Sequence, residues 1–264
     1  MDSKIYKLKD INISYIDTGK SGMPIIFIHG FPFDKSSWEP QIEYLNKYCR
    51  VIAMDLRGFG KSDIGVQEFS VDLFADDIIQ LMDGLNIPKA IICGLSMGGY
   101  IALNIVERYG DRVESLILSD TQCNADSQEG KDKRYSTIKD LQNGGHTNFA
   151  NGFINNVFTS RTINEKKPIV DKVKNIILSC SIDSIIGALK ALASRRETCS
   201  ILNKIKIPVL VMCGNEDKLT PPEKSIYLHQ HITNSKIKLI NNAAHVSNLE
   251  QADIFNNEIR EFLS

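Results

Sequence analysis

The chain has 264 residues, of which 42% are hydrophobic, so it can bury one substantial core and we predict a single domain over residues 1–264. A formal net charge of -1 gives no electrostatic reason to expect a nucleic acid or an anionic membrane as a partner. The expected partner is a small molecule, and the sequence predicts no particular oligomeric state.

Targeting signals and cysteine spacing bear on the location of the protein. The first six residues are polar and no apolar run approaches bilayer-spanning length, so we predict neither export nor membrane insertion. The six cysteines are scattered without a C-x-x-C pair, which favours free thiols in a reducing cytoplasm. No cluster of histidine and cysteine has metal-ligand spacing, so neither a metal nor another cofactor is expected.

Strand and helix patterns alternate along the first half of the chain. Residues 5–17 alternate as in an antiparallel hairpin, with Ile11, Ile13 and Tyr15 on one face. From residue 24 to residue 121, short apolar strands alternate with helical segments, one of which begins at Ser70. This alternation predicts an α/β fold with a mostly parallel, doubly wound sheet behind the N-terminal hairpin.

The loop after the first of these strands reads His29-Gly30-Phe31-Pro32. Gly30 lets the chain turn closely, and we expect the backbone N–H of Phe31 to be one donor of an oxyanion hole. Pro32 has no N–H and cannot donate. His29 is expected to support the loop by hydrogen bonding rather than to take part in the chemistry.

A second glycine-containing loop, residues 55–62, ends in Gly60-Lys61-Ser62 and so copies the end of a phosphate-binding loop. Such a loop needs its first glycine where this chain has Asp55, and it needs a helix directly after the serine, where residues 63–65 read Asp-Ile-Gly. The sequence therefore does not predict a nucleotide site here.

The stretch from Gly94 to Gly99 follows an apolar strand and precedes a helical segment. A serine on so tight a turn needs strained backbone angles, and Gly94 and Gly98 avoid collisions on either side of it. The turn exposes the Ser96 hydroxyl and aims the helix N-terminus at it, so the N–H of Met97 is the second expected oxyanion donor. We interpret Ser96 as a nucleophile.

The alternation of strands and helices stops between about residues 122 and 206. This stretch reads as helices at Gln128–Leu141, Phe149–Phe158, Ile169–Leu178 and Ile182–Ala193. We predict a helical cap inserted between two core strands, with the core formed by residues 1–121 and 207–264. The Gly144-Gly145 break and the polar residues 159–167 separate its helices and would let them move over a site.

A serine nucleophile needs a histidine base and an acid, which in this kind of fold follow the serine along the chain. Asp217 and His245 each lie in a loop after an apolar strand, where open α/β sheets build their sites. Asp120, at the end of an earlier strand, is the rival acid, and Asp217 could instead be a turn or helix-cap residue. Three other histidines do not follow the end of a predicted strand and are expected at the surface: His146, His229 and His231.

Taken in order, these motifs resemble those of the α/β-hydrolase superfamily, and the resemblance covers nearly the whole chain. It is carried by residues 29–32, Trp38, residues 55–62, residues 94–99, Asp217 and His245. Within the superfamily the chain is most similar to small bacterial carboxylesterases and to the branch of 3-oxoadipate enol-lactonases and cofactor-independent haloperoxidases (perhydrolases). The resemblance implies that residues 55–62 form a structural loop beside the pocket. Trp38 is expected to be a packing anchor.

The sequence thus predicts a serine hydrolase that cleaves a small carboxylic ester through an acyl-enzyme intermediate. In this prediction Ser96 attacks the carbonyl, His245 moves the proton and Asp217 orients the imidazole. Hydrolysis of an enol-lactone and perhydrolysis would use the same residues and stay open as alternatives. A non-enzymatic alternative is a ligand sensor that retains the triad.

Overall fold

The computed structural model describes residues 2–264, which form an eight-stranded sheet flanked by helices. Within those residues the strands run β1 Lys4–Lys7, β2 Asn12–Asp17, β3 Ile25–Ile28, β4 Val51–Met54, β5 Ala90–Leu95, β6 Val113–Ser119, β7 Val209–Gly214 and β8 Ser235–Ile240. The α-helices are α1 Glu39–Leu45, α2 Val71–Gly84, α3 Met97–Tyr109, α4 Gln128–Gln142, α5 His146–Val157, α6 Ser160–Glu165, α7 Lys167–Ser179, α8 Ile182–Ser194, α9 Pro222–His231, α10 Ser247–Glu250 and α11 Ala252–Phe262.

The strand order is β1-β2-β4-β3-β5-β6-β7-β8. Strand β1 pairs with β2, and β2 with β4, in antiparallel fashion, whereas all other pairs are parallel. The predicted hairpin and mostly parallel sheet are therefore confirmed. Strand β3 lies between β4 and β5, so the order of the strands reverses direction at β3. Ligands of doubly wound sheets bind at such a switch point, beyond the carboxyl ends of the strands.

Both faces of the sheet are buried, which explains why its central strands read as continuous apolar runs. Alternate residues of a strand point to opposite faces, so Ile26 and Ile28 of β3 join one hydrophobic core while Ile25 and Phe27 join the other. Trp38 is completely buried in the second core, with its ring 4.7 Å from that of Phe27, as expected of a packing anchor.

Helix α2 begins where the sequence indicates. The Ser70 hydroxyl accepts a hydrogen bond from Leu73 N at 3.0 Å and so caps the helix. The prediction missed the burial of Asp77, whose carboxylate accepts hydrogen bonds from Arg57 at 2.8 and 2.9 Å. Arg57 also pairs with Asp10, and Asp55 accepts a hydrogen bond from Lys35 Nζ, so these two residues of the loop at 55–62 have a structural role.

Helices α4 to α8 lie between β6 and β7 in the chain, and the break at Gly144 has a positive φ of 86°. The structure corrects one detail, because α6 occupies residues that the sequence reading leaves as a polar connection. This short helix has no apolar stripe but is capped by Thr159, whose hydroxyl accepts from Thr162 N at 3.1 Å. The division into core and cap at residues 121 and 207 stays a prediction.

The cysteines correct another expectation, because Cys123 and Cys199 form a disulfide across a sequence separation of 76 residues. The amide of Thr198 donates to the carbonyl of Cys123 at 2.8 Å and brings the two cysteines together. The other four are free thiols: Cys49, Cys93, Cys180 and Cys213. The expectation that all six cysteines are free thiols is therefore wrong for Cys123 and Cys199. The cytoplasmic location stays a prediction.

Helix length and hydrophobicity bear on membrane insertion. Among residues 2–264, no single helix is long and apolar enough to cross a bilayer. Helices α7 and α8 reach that length and composition only when they are taken together, and they are bent by 94° at the break between them.

Candidate active site

Ser96 lies on the turn between β5 and α3, with φ of 52° and ψ of -112°. A non-glycine residue with positive φ is strained, and such strain persists only where the surroundings hold it. A Cβ atom on Gly94 would lie 2.2 Å from the Gly98 carbonyl oxygen, and one on Gly98 would lie 2.2 Å from that of Ile28. The two glycines are thus required by close backbone approach on both sides of Ser96.

The backbone of Ser96 is fixed by the end of the neighbouring strand β6. Its amide donates to the Ser119 carbonyl at 2.9 Å, and the Thr121 hydroxyl donates to its carbonyl at 2.8 Å. These two bonds hold the strained turn in one orientation relative to the sheet.

The side chains of Ser96, His245 and Asp217 form one hydrogen-bonded chain. Ser96 Oγ lies 2.8 Å from His245 Nε2, and His245 Nδ1 lies 2.8 Å from Asp217 Oδ2. Asp217 and His245 are buried, at 3% and 2% exposure. The structure therefore brings the three sequence-predicted residues together in the order that a nucleophile, a base and an orienting acid require.

Asp217 is held as a carboxylate. Its Oδ1 accepts from the amides of Leu219 and Thr220, and its Oδ2 accepts from the Thr220 hydroxyl at 2.7 Å. Burial would raise the pKa of Asp217, but His245 and these hydrogen bonds outweigh it and lower the pKa. Burial would likewise lower the pKa of His245, yet the Asp217 charge raises it above the ordinary value.

Asp120, the rival acid, lies close to Asp217 but does not contact His245. Its Oδ1 accepts from Gly214 N at 2.8 Å, and its Oδ2 accepts from the hydroxyls of Ser119 and Ser247 at 2.6 Å each. Burial, followed by repulsion from Asp217, raises the pKa of Asp120 to about 7. Geometry thus places Asp217 and not Asp120 against the imidazole.

The remaining histidines lie away from this chain of hydrogen bonds. His231 is exposed, as expected for a surface residue. His146 and His229 are only half-exposed, because the first pairs with the Ile177 carbonyl at 3.0 Å and the second with the Ser235 hydroxyl at 2.8 Å.

The loop at residues 29–32 packs directly against the turn that carries Ser96. A Cβ atom on Gly30 would lie 3.2 Å from Ser96 Cβ, so the backbone of this loop approaches the serine closely. His29 is fully buried, where it accepts from Leu56 N at 3.0 Å and donates to the Gly30 carbonyl at 2.9 Å. Among residues 2–264 the N–H groups of Phe31 and Met97 donate to no other group, which leaves both free for an oxyanion.

A cavity of about 700 Å³ opens over Ser96 and His245. Its apolar wall comes from the core, from α5, from α8 and from the loop before α9: Phe31, Met97, Tyr100, Phe149, Phe153, Leu189, Leu192 and Leu219. Its polar rim comes mainly from α4 and α5 and includes Lys133, Arg134, Thr137, Asn148 and Asn156. The spacing of Phe149 and Phe153 on one face of α5 is the sequence signal that could have identified the roof of this cavity.

One wall of the cavity is fixed by an ion cluster. Asp126 pairs with Arg134 and with Arg195, whose Nη1 lies 2.7 Å from the carboxylate. The Arg195 guanidinium also lies 4.3 Å from the centroid of the Tyr100 ring. This arrangement holds Tyr100 in the wall of the cavity.

Glu250 is a buried carboxylate that sequence reasoning missed. Its Oε1 accepts from Thr159 N and from the Thr159 hydroxyl at 2.9 Å each, and its Oε2 accepts from Ala244 N at 2.6 Å. Glu250 therefore connects the start of α6 to the residue that precedes His245. No spacing rule predicts it, because Thr159 lies 91 residues away in the sequence.

Comparisons with known proteins agree on one family. A family profile described as alpha/beta hydrolase fold matches residues 23–252. The chain is 29% identical to 3-oxoadipate enol-lactonase 2 of Acinetobacter baylyi, over 95% of this chain and 92% of that protein. Among solved structures it resembles a malate-bound esterase from Thermogutta terrifontis, with 31% identity, a TM-score of 0.94 and coverage of 100% and 98%. It also resembles a bromoperoxidase from Bacillus anthracis, with 27% identity, a TM-score of 0.89 and 99% coverage of both chains.

Proposed function

Because residues 23–252 match that profile, this chain belongs to the α/β hydrolases, and we propose that it is a serine esterase that cleaves small carboxylic esters through an acyl-enzyme intermediate. The observation that carries the proposal is the hydrogen-bonded chain from Ser96 through His245 to Asp217, beneath a cavity open to a small molecule. Esterases and enol-lactonases among its relatives support hydrolysis as the class of reaction.

In the proposed first step Ser96 Oγ attacks the ester carbonyl while His245 Nε2 takes the hydroxyl proton. Asp217 keeps the other ring nitrogen protonated and stabilises the imidazolium. The tetrahedral oxyanion accepts hydrogen bonds from the N–H groups of Phe31 and Met97, and each such donor is worth about 3 kcal/mol of transition-state stabilisation. Return of the proton from His245 releases the alcohol and leaves an acyl-serine.

In the second step His245 takes a proton from water, and the resulting hydroxide attacks the acyl carbonyl. Collapse of the second tetrahedral species breaks the bond to Ser96 Oγ, and His245 returns the proton to that oxygen. The products are a carboxylic acid, an alcohol and unchanged enzyme. The apolar wall beside Ser96 favours an aliphatic or aromatic acyl group, whereas the rim of α4 and α5 favours a polar end.

Ser96→Ala tests the nucleophile. We expect kcat for p-nitrophenyl butyrate to fall by about 10⁴-fold to 10⁶-fold, because loss of the nucleophile removes the whole triad pathway. Ser194→Ala, which removes an exposed hydroxyl at the end of α8, is the matched control and should retain wild-type turnover. A fluorophosphonate probe should label the wild type and not the Ser96 variant. Undiminished hydrolysis by Ser96→Ala would refute the proposal.

Enol-lactone hydrolysis is the second candidate, because the Acinetobacter relative with this activity aligns over 95% of the chain. The same triad would open a lactone, with the leaving oxygen still tethered to the acyl group. Rates on an ester series, on an enol-lactone and on an ester with added peroxide decide between hydrolysis of esters, hydrolysis of lactones and perhydrolysis. A ligand sensor would turn over all of them at about once per minute or less while its thermal stability rose with ligand.

A further inference from the structure

Three consecutive residues at the carboxyl end of β6 reach all the segments that carry the proposed triad. Ser119 and Thr121 hold the backbone of Ser96, as described above. Asp120, between them, points its side chain the other way, toward the segments of Asp217 and His245. The end of one strand is thus the common support of the whole site.

The backbone of Asp120 is adapted to this position. Its φ is 46°, in the left-handed region that a non-glycine residue rarely adopts, and its amide donates to the Met212 carbonyl at 2.9 Å. Such a conformation costs about 1 kcal/mol or more and persists only when surrounding contacts enforce it. The strain turns the carboxyl group across the end of β7.

The two oxygens of Asp120 contact the last residue of β7 and the first residue of α10, which border the loops of Asp217 and His245. Oδ1 accepts from Gly214 N, three residues before Asp217, and Oδ2 accepts from the hydroxyl of Ser247, two residues after His245. The two loops also pack tightly, because a Cβ atom on Gly214 would lie 2.1 Å from the Ala244 carbonyl oxygen. The Asp120 carboxyl group therefore bridges the loop of the acid and the loop of the base.

We propose that Asp120 is a positioning residue, which fixes the loops of Asp217 and His245 against each other so that the triad is formed before the substrate binds. The inference rests on the proposed function, because it concerns the same triad. Asp120 acts through these loops and not on the substrate, since it is completely buried and does not line the cavity. The groups that face it are Ser119, Gly214, Ser247 and the Cys213 thiol and, by charge, Asp217 and His245.

An amide can make the same bridge as a carboxyl group. In Asp120→Asn, the side-chain oxygen would accept from Gly214 N and the amide nitrogen would donate to the Ser247 hydroxyl. Asp120→Ala would leave both partners buried and unpaired. We expect Asp120→Asn to retain kcat within about 5-fold of wild type, and Asp120→Ala to lose about 100-fold or more in kcat with KM little changed.

Ser247→Ala tests the bridge even if Asp120→Ala fails to fold, because it removes only the hydrogen bond from the Ser247 hydroxyl to Asp120 Oδ2. We expect kcat for p-nitrophenyl butyrate to fall by about 10-fold to 100-fold, because the buried Asp120 carboxyl group loses one hydrogen-bond donor, with KM within about 2-fold. Ser225→Ala, an equally buried serine in α9, is the control and should match the wild type. A merely structural loss would lower the melting temperature without this separation of kcat from KM.

The outcomes separate the two proposals. If turnover depends on Ser96 but Ser247→Ala behaves like Ser225→Ala, or Asp120→Asn is as impaired as Asp120→Ala, the positioning role is overturned and the esterase proposal stands. If Ser96→Ala hydrolyses the ester like the wild type, both proposals are overturned. Loss of kcat in Ser247→Ala together with rescue by Asp120→Asn supports the bridge.

Discussion

At the scale of single residues, the site depends on the opposed pKa shifts of an acid and a base. Asp217 stays ionised because hydrogen bonds and His245 outweigh its burial, and His245 has a raised pKa because Asp217 outweighs its own burial. Only the neutral imidazole can take the Ser96 proton. Activity should therefore be lost as pH falls through the raised pKa of His245.

We predict that kcat/KM rises with pH to a plateau, with a midpoint above 6.5, the ordinary value for histidine. In Asp217→Asn the burial that lowers the pKa of His245 loses its main opposition, so the midpoint should move to lower pH, and kcat should fall by about 10⁴-fold. Profiles from about pH 5 to about pH 9 measure both effects. Asp111→Asn at the exposed surface is the control, and an unshifted midpoint in the Asp217 variant would contradict this account.

The convergence of Ser96, His245 and Asp217 was predictable because each follows the carboxyl end of an apolar strand, where a doubly wound sheet gathers its functional groups. Asp120 was recognised only as a rival acid, and Glu250 was not recognised at all. Asp120 accepts from Gly214 N, 94 residues away, and Glu250 accepts from Thr159 N, 91 residues away, and no local pattern records such partners. Asp77 was missed for a similar reason, because its burial depends on Arg57, twenty residues away in the sequence.

At the scale of elements, helix α6 is attached to the segment of His245 through a buried carboxylate. Glu250 accepts from Thr159, which caps α6, and from the amide of Ala244 beside His245. Helix α2 was predictable from its Ser70 cap and its apolar stripe, and the sequence also indicated α4, α5, α7 and α8, although α5 and α7 have no side-chain cap. Helix α6 was not predictable, because six residues without an apolar stripe depend on this capping contact.

Glu250→Gln should weaken that attachment. A glutamine keeps one acceptor oxygen, but its amide nitrogen cannot accept from the second of the two buried N–H groups, those of Thr159 and Ala244. The free energy of unfolding should therefore fall by about 2 kcal/mol. We expect kcat to fall by about 10-fold because the His245 loop loses its hold. Urea denaturation and ester turnover measure the two effects. Glu261→Gln, at an exposed position, is the control, and equal stability of the two variants would argue against the role of Glu250.

At the scale of the whole molecule, the family and the fold followed from the order of motifs, and the match over residues 23–252 confirms the resemblance. The alternation of strands and helices predicted the parallel sheet. Because β3 and β5 pair in that sheet, residues 29–32 and Ser96, which directly follow these strands, lie side by side. Cysteine spacing could not predict the disulfide, because Cys123 and Cys199 come together only when the helices between them have folded.

The disulfide between Cys123 and Cys199 closes a long loop that contains all five helices from α4 to α8. Closing a loop of this length removes entropy from the unfolded chain and should stabilise the fold by about 4 kcal/mol. Reduction should therefore lower the urea midpoint of the wild type, while ester turnover in the absence of urea persists, because neither cysteine contacts the triad. In a double variant with serine at both positions, reductant should have no further effect. Six titratable thiols in the unfolded, unreduced protein would show instead that the bond does not form, and a reductant effect that survived in the double variant would assign the stabilisation to another group.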